Sequence, residues 1–115
     1  MSNYYRVDFN IANNEDLRQD FAVRDGGGAP IDLDGSNLKM DVEGPSGLRV
    51  IQATLANGQI TVTDAAQGHF RLAIPAATLR ALPEGSYRHD FLLVRGAETK
   101  RLWVGTITIN RGVTI

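Results

Sequence analysis

Apolar and polar residues alternate through most of this chain, the two-residue period that turns one face of a strand to a core and the other to water. Tyr5, Val7, Phe9 and Ile11 alternate with Arg6, Asp8 and Asn10. Leu17, Phe21 and Val23 alternate with Arg18, Asp20 and Arg24, and Leu38, Met40 and Val42 with Lys39, Asp41 and Glu43. Phe70, Leu72 and Ile74 alternate with His69 and Arg71. Each run predicts a strand with one buried face. Ile60 and Val62 predict a shorter strand after Asn57–Gly58, a dipeptide that signals a hairpin. The rhythm changes between Leu48 and Leu55. Leu48 and Val50 share one face, while Ile51, Ala53 and Leu55 share the other, and a β-bulge near Val50–Ile51 reconciles them. Ser86–Arg95 and Lys100–Ile109 close the chain as a hairpin around Gly96–Thr99.

Turn residues punctuate these runs at Asp25–Gly28, Gly44–Gly47, Asn57–Gly58, Gly68, Pro83–Gly85 and Gly96. That density predicts several short strands, hence a sandwich or a barrel. One segment has a helical tone. Pro75–Leu82 is rich in helix formers, Pro75 suits a first turn, and Leu79 and Leu82 share a face. It is too short to stand alone and reads as one or two turns crossing between sheets. The turn after it narrows the fold class. Leu82, Pro83 and Gly85 precede Tyr87 at the spacing of a tyrosine corner, in which the ring enters the core and the hydroxyl bonds back to the preceding connection. The expectation is one all-β domain over 1–115, an immunoglobulin-like antiparallel β-sandwich of about seven or eight strands with a short helical crossover.

Composition mainly excludes. At 115 residues with 43% hydrophobic content the chain can bury a core without staples. A formal net charge of -1, with its basic residues scattered singly, gives no field for nucleic acid or an anionic membrane. There is no cysteine, which removes disulfides, thiolate metal sites and cysteine nucleophiles together. The longest fully apolar run, Phe91–Val94, is far short of a membrane span, and the first six residues lack the apolar core of a signal peptide. Synthesis and folding in a cytoplasm are expected.

Candidate chemistry is thin. Gly26–Gly28 suggests a phosphate cradle, but Ala29-Pro-Ile-Asp follows where a P-loop needs Lys and Ser or Thr opening a helix, so a hairpin loop is expected. Asp25, Asp32 and Asp34 begin like calcium ligands without the later carboxylates, and aspartate before glycine is ordinary turn chemistry. His69 is expected to face solvent and His89 to be buried and hydrogen-bonded, with nothing in the spacing uniting them as a catalytic pair. Trp103 falls on one alternating face with Gly105, Ile107 and Ile109 and is expected in the core. These readings predict no catalytic residue, no metal and no small-molecule cofactor.

Three phrases together resemble a known group. They are Phe21–Gly35 with its Pro-Ile-Asp-Leu-x-Gly ending, Gly68–Tyr87 linking a strand to the corner, and Trp103–Thr114 closing the chain. In this order they are similar to small immunoglobulin-like proteins of tailed phages and prophages, such as upper-baseplate domains of siphophage tails. The resemblance covers nearly the whole chain. It implies a non-enzymatic structural or adaptor component of a virion, in the tail, baseplate or neck. Its partners would be other virion proteins or further copies of itself, with no nucleic acid and no membrane. Two alternatives make distinct demands. A carbohydrate- or surface-binding module needs an exposed aromatic platform, so Trp103 or Tyr4 would line a groove. A small enzyme or metal protein needs carboxylates converging beside His89.

The last hairpin yields the sharpest expectation. A turn centred near Glu98 sets Leu93 opposite Trp103 and Phe91 opposite Gly105 on the core face. On the other face Leu92 and Val94 then meet Val104 and Leu102. Four aliphatic side chains on an outward face form an exposed patch unless something covers them. Either the N-terminal segment 4–11 folds over them, or another subunit or virion protein packs there.

Overall fold

The computed structural model describes residues 5–113. In chain order the strands are β1 (Tyr5–Arg6), β2 (Phe9–Ala12), β3 (Leu17–Ala22), β4 (Asn37–Glu43), β5 (Arg49–Thr54), β6 (Ile60–Asp64), β7 (His69–Ile74), β8 (Gly85–Arg95) and β9 (Glu98–Asn110). A 3-10 turn at Ala65–Gln67 precedes β7, and a short helix, α1 (Ala76–Arg80), precedes β8. The larger sheet runs β1–β9–β8–β4–β5, with β2 also on β9, and the smaller runs β3–β7–β6. The chain is therefore an all-β immunoglobulin-like sandwich. β3, β7 and β6 stand as strands B, E and D, and β9, β8 and β4 as G, F and C, with β5 added outside β4.

The alternating runs become strands whose core positions are sealed. Leu38, Met40, Val42, Phe70, Leu72, Ile74 and Phe91 are all 0% exposed. Between the sheets lies an aromatic cluster. Phe70 of the smaller sheet stacks on Phe91 of the larger at 5.0 Å, Phe91 meets Trp103 at 4.4 Å, and Phe21 meets Trp103 at 4.6 Å. Such ring pairs add about 0.5–1.5 kcal/mol each beyond the area they bury.

The crossover between sheets is built from local chemistry. Pro75 caps α1, and the Asp16 carboxylate accepts from the Ala76 N–H at 2.7 Å, satisfying a helix-end donor from sixty residues away. Leu79 is fully buried, and Leu82 packs against the core. Tyr87 is 4% exposed and its hydroxyl donates to the Pro83 carbonyl at 2.5 Å, so the corner is formed.

The N-terminal strand is parallel to β9 and broken once. Arg6 lies beside Val104, and Phe9 resumes beside Ile107. At the break the chain dips onto Gly105, where a Cβ would stand 1.7 Å from the Val7 carbonyl oxygen. Only glycine allows that approach. Asp8 then accepts from the Thr106 N–H at 2.9 Å and from its hydroxyl at 3.1 Å, replacing the interrupted ladder. Hydrogen bonding from Thr106 holds the Asp8 carboxyl below its ordinary range.

Three expectations need correction. Asn57–Gly58 does not close a hairpin, because β5 and β6 lie in different sheets. The Asn57 side chain instead donates to the Gln52 carbonyl at 2.8 Å and accepts from the Thr54 N–H at 3.1 Å, and the chain turns away from β5 to cross the sandwich. The β8–β9 turn is Gly96–Ala97 rather than one centred near Glu98, since Arg95 pairs with Glu98. Gly96 supplies the left-handed φ of 59° that so tight a turn requires. Phe91 therefore faces Trp103, and His89 faces Gly105. Finally, a register shift after Phe91 sets Leu92 across from Arg101 and makes Leu102 the extra residue. That bulge carries Leu102 into the core at 7% exposure. The β5 bulge lies where the rhythm placed it, with Val42 opposite Ile51 and Glu43 opposite Arg49, leaving Val50 extra.

Candidate functional site

Each sheet has a face turned away from the core. Strand alternation on the larger sheet brings Lys39, Asp41 and Glu43 of β4, Arg88, Asp90, Leu92 and Val94 of β8, and Val104 and Thr106 of β9 to that face. The ladders set Glu43 beside Arg88, Asp41 beside Asp90, and Asp90 beside Val104. Arg49 opens β5 and Arg6 lies on β1, so guanidiniums rise at both lateral rims. The result is a shallow depression of about 560 Å³ walled by Arg6, Arg49, Arg88 and Arg101, with Asp41, Glu43 and Asp90 between them and Val104, Gly105 and Thr106 on its floor.

The charges are interleaved. Arg88 donates to Glu43 at 2.5 Å, and Arg6 to Asp8 at 3.1 Å. Arg49 stands 3.8 Å from Asp41, and Arg101 3.8 Å from Asp90. These pairs are solvent-accessible and contribute little to stability. They fix a pattern of sign across the face, and such patterns select partners. Of twelve basic residues ten are arginine, and four of those wall one depression. Arginine is the cation enriched in protein interfaces, where lysine is depleted.

Beneath the floor His89 is 4% exposed. Its Nδ1 accepts from the Trp103 indole N–H at 3.1 Å, so the proton sits on Nε2, 3.3 Å from the Thr106 carbonyl. Phe9 covers the ring at 5.3 Å. Burial pushes the His89 pKa below its ordinary value of 6.5, opposed in part by the Thr106 and Val7 carbonyls and by the charges of Asp8 and Asp90. Both ring nitrogens are thus held by structure.

The other candidates fall in turns or in the core. The Asp25 carboxylate accepts from the Gly27 and Ala29 N–H groups, closing the glycine loop on itself. Asp32 accepts from the Asp34 N–H at 2.9 Å. Among the described residues no three His, Asp or Glu side chains gather as metal ligands, and no helix is long and apolar enough to cross a membrane. Trp103 is 4% exposed and offers no platform, and Tyr4 lies outside the described residues.

Of the four residues expected as an aliphatic patch, Leu92, Val94 and Val104 lie on this outer face, half-buried, and Leu102 does not. Nor does the N-terminal segment fold over them, for β1 and β2 extend the sheet beside β9. The four arginines and their carboxylates went unrecognised in the sequence. Each occupies a polar position of an alternating strand or its edge, but they come from five strands that only the ladder order brings together.

No family model matches the sequence, and no curated protein matches it. Among solved structures the chain is similar to the X-ray structure of the endo-beta-1,4-mannanase from Thermotoga petrophila, with TM-score 0.55 and 10% identity over 90% of this chain. The likeness spans 18% of the mannanase chain and shows the fold alone. A further match is the crystal structure of CopC from Methylosinus trichosporium OB3b, with TM-score 0.45 and 12% identity over 92% of this chain and 88% of that one.

Proposed function

We propose that this protein is a non-enzymatic structural or adaptor module that works by protein–protein contact through the outer face of its larger sheet. The particle it serves is that of a tailed phage or prophage, in the tail, baseplate or neck. The particle context rests on the resemblance of the three sequence phrases. The contact surface rests on one observation: arginines and carboxylates interleave around half-buried Val104 on a single face, while the most reactive-looking side chain, His89, is tied up beneath it. A carbohydrate-binding reading draws no support from Trp103, which is buried.

Gradient-purified particles from an induced producing strain test the reading. The protein should be a constituent of them by mass spectrometry, and its absence overturns the particle assignment. Val94→Lys, on the same outer face, should remove it from particles while the isolated domain keeps its fold. Unfolding of that variant would show Val94 to be core and overturn the face assignment.

A further inference from the structure

The rims of both sheets are closed to strand addition. β5 carries the Val50 bulge, and Asn57 occupies the Gln52 carbonyl and the Thr54 N–H along its open edge. β6 is irregular between Val62 and Asp64. β3 exposes Arg18, Gln19 and Asp20, and the N-terminal strand is interrupted at Val7–Asp8. Bulges, breaks and charged positions are how sheets prevent edge pairing. A partner must therefore engage side chains on a face.

The sign pattern of the larger face indicates which partner. On β8 a cation at Arg88 is followed by an anion at Asp90, and on the N-terminal strand a cation at Arg6 is followed by an anion at Asp8. These two strands are antiparallel, since β8 is antiparallel to β9 and β1 is parallel to it. One row across the sheet thus reads Glu43, Arg88, Thr106, Asp8, and the next reads Asp41, Asp90, Val104, Arg6. A two-fold axis lying in the face between these rows superposes them. It sets Arg88 on Asp90 twice and Arg6 on Asp8 twice. The like-charged meeting of Glu43 with Asp41 also occurs twice, and Arg88 and Arg49 already stand beside those two carboxylates. Two-fold contacts of this kind are self-complementary by construction. Shape agrees with sign. The Arg88 side chain is 77% exposed, the most of the four arginines on the depression, while Asp90 lines the depression beside Val104.

We infer that the occupant of this face is a second copy of the chain, packed about that axis, with Arg88 of each copy entering the depression of the other to reach Asp90. This rests on reading the face as the contact surface and names its partner.

Sedimentation velocity of the full chain at tens of micromolar tests it. The wild type should sediment as a dimer and shift toward monomer as salt rises, because exposed charge pairs are screened. Arg88→Glu and Asp90→Arg should each weaken the dimer about tenfold or more, since each sets two like charges together across the axis. An equimolar mixture of the two variants should restore a dimer, because their altered positions then oppose charge correctly. Arg6→Glu should weaken the dimer independently, at the other end of the axis, with circular dichroism reporting that each variant is folded. A monomeric wild type, a dimer indifferent to these variants, or a mixture that stays monomeric overturns the inference. A monomeric wild type whose Val94→Lys variant is still lost from particles keeps the face as a contact for another protein and removes only the second copy.

Discussion

The two outward faces of this sandwich are built by the same alternation and end up chemically unlike. On the smaller sheet β6 contributes Thr61 and Asp64, β7 contributes His69, Arg71 and Ala73, and β3 contributes Arg18, Asp20 and Ala22. Short side chains dominate, with one cross-strand pair of Arg71 and Asp20 at 2.7 Å. On the larger sheet four arginines and their carboxylates surround a depression. The difference comes from width. The larger sheet gains a strand at each side, β5 outside β4 and the N-terminal strand outside β9, and those additions carry Arg49 and Arg6. A fold shared with many other proteins thus acquires a distinctive surface at its margins, where strand addition is least constrained by the core.

The largest expected effect removes one of those margins. Gly105→Val forces a side chain into the space held by the Val7 carbonyl, which already lies 1.7 Å from an ideal Cβ. The N-terminal strand must leave β9, taking Arg6 and Asp8 off the larger face and uncovering Phe9 and Ile11 from the core. The expected cost is on the order of 3 kcal/mol, at the upper end for overpacking. The denaturant midpoint should fall, and hydrogen exchange should quicken in Phe9–Ala12 before the smaller sheet responds. Unchanged protection there would show that the strand does not depend on this approach and that Gly105 does not set the margin of the larger sheet.

A smaller effect is expected from acid, and it too should fall on one sheet. His89 is held neutral by burial, with Nδ1 accepting from Trp103. Protonation puts a second N–H against the indole N–H. The unfolded chain takes the proton near the ordinary value of 6.5, whereas the folded chain resists it to lower pH. The unfolded state therefore binds more protons in that window. Stability is complete above about 6.5 and declines as pH falls toward the folded-state value. His89→Gln, which retains an acceptor but cannot titrate, should flatten this slope between neutral and mildly acid pH. A slope that survives the substitution would assign it to other groups. The carboxyls of Asp8 and Asp20, held below 3.8, act only at lower pH.

Local chemistry was the legible part of this molecule. The corner at Leu82, Pro83, Gly85 and Tyr87 is a fixed spacing, and the bulge at Val50 shows as a slip in the hydrophobic rhythm. α1 could be read from Pro75 and the leucines after it. Long-range pairing was not legible. Asn57–Gly58 carries a hairpin dipeptide, yet the Asn57 side chain spends its hydrogen bonds on β5 and releases the chain to the other sheet. The β8–β9 register turned on the choice between a two-residue and a longer turn, and the bulge at Leu102 left no break in composition. The candidate face was the least visible, because Arg6, Arg49, Arg88 and Arg101 are isolated in the chain and become neighbours only through strand order.

The smallest effect is expected on the smaller face. Arg71 and Asp20 form the ion pair of the smaller face, with side chains 36% and 67% exposed. In water such a pair gains little Coulomb energy and loses side-chain freedom, so its net contribution approaches zero. Arg71→Ser should leave the denaturant midpoint and the sedimentation behaviour unchanged. It should still register locally. The Asp20 carboxyl is held below its ordinary 3.8 chiefly by the hydrogen bond from Arg71, and NMR titration should show it rising toward that value in the variant. Arg88→Glu on the larger face provides the contrast, since there association should weaken with the fold intact. A loss of association on Arg71→Ser matching that of Arg88→Glu would mean that the smaller face also binds, and the asymmetry between the two faces would no longer identify the contact surface.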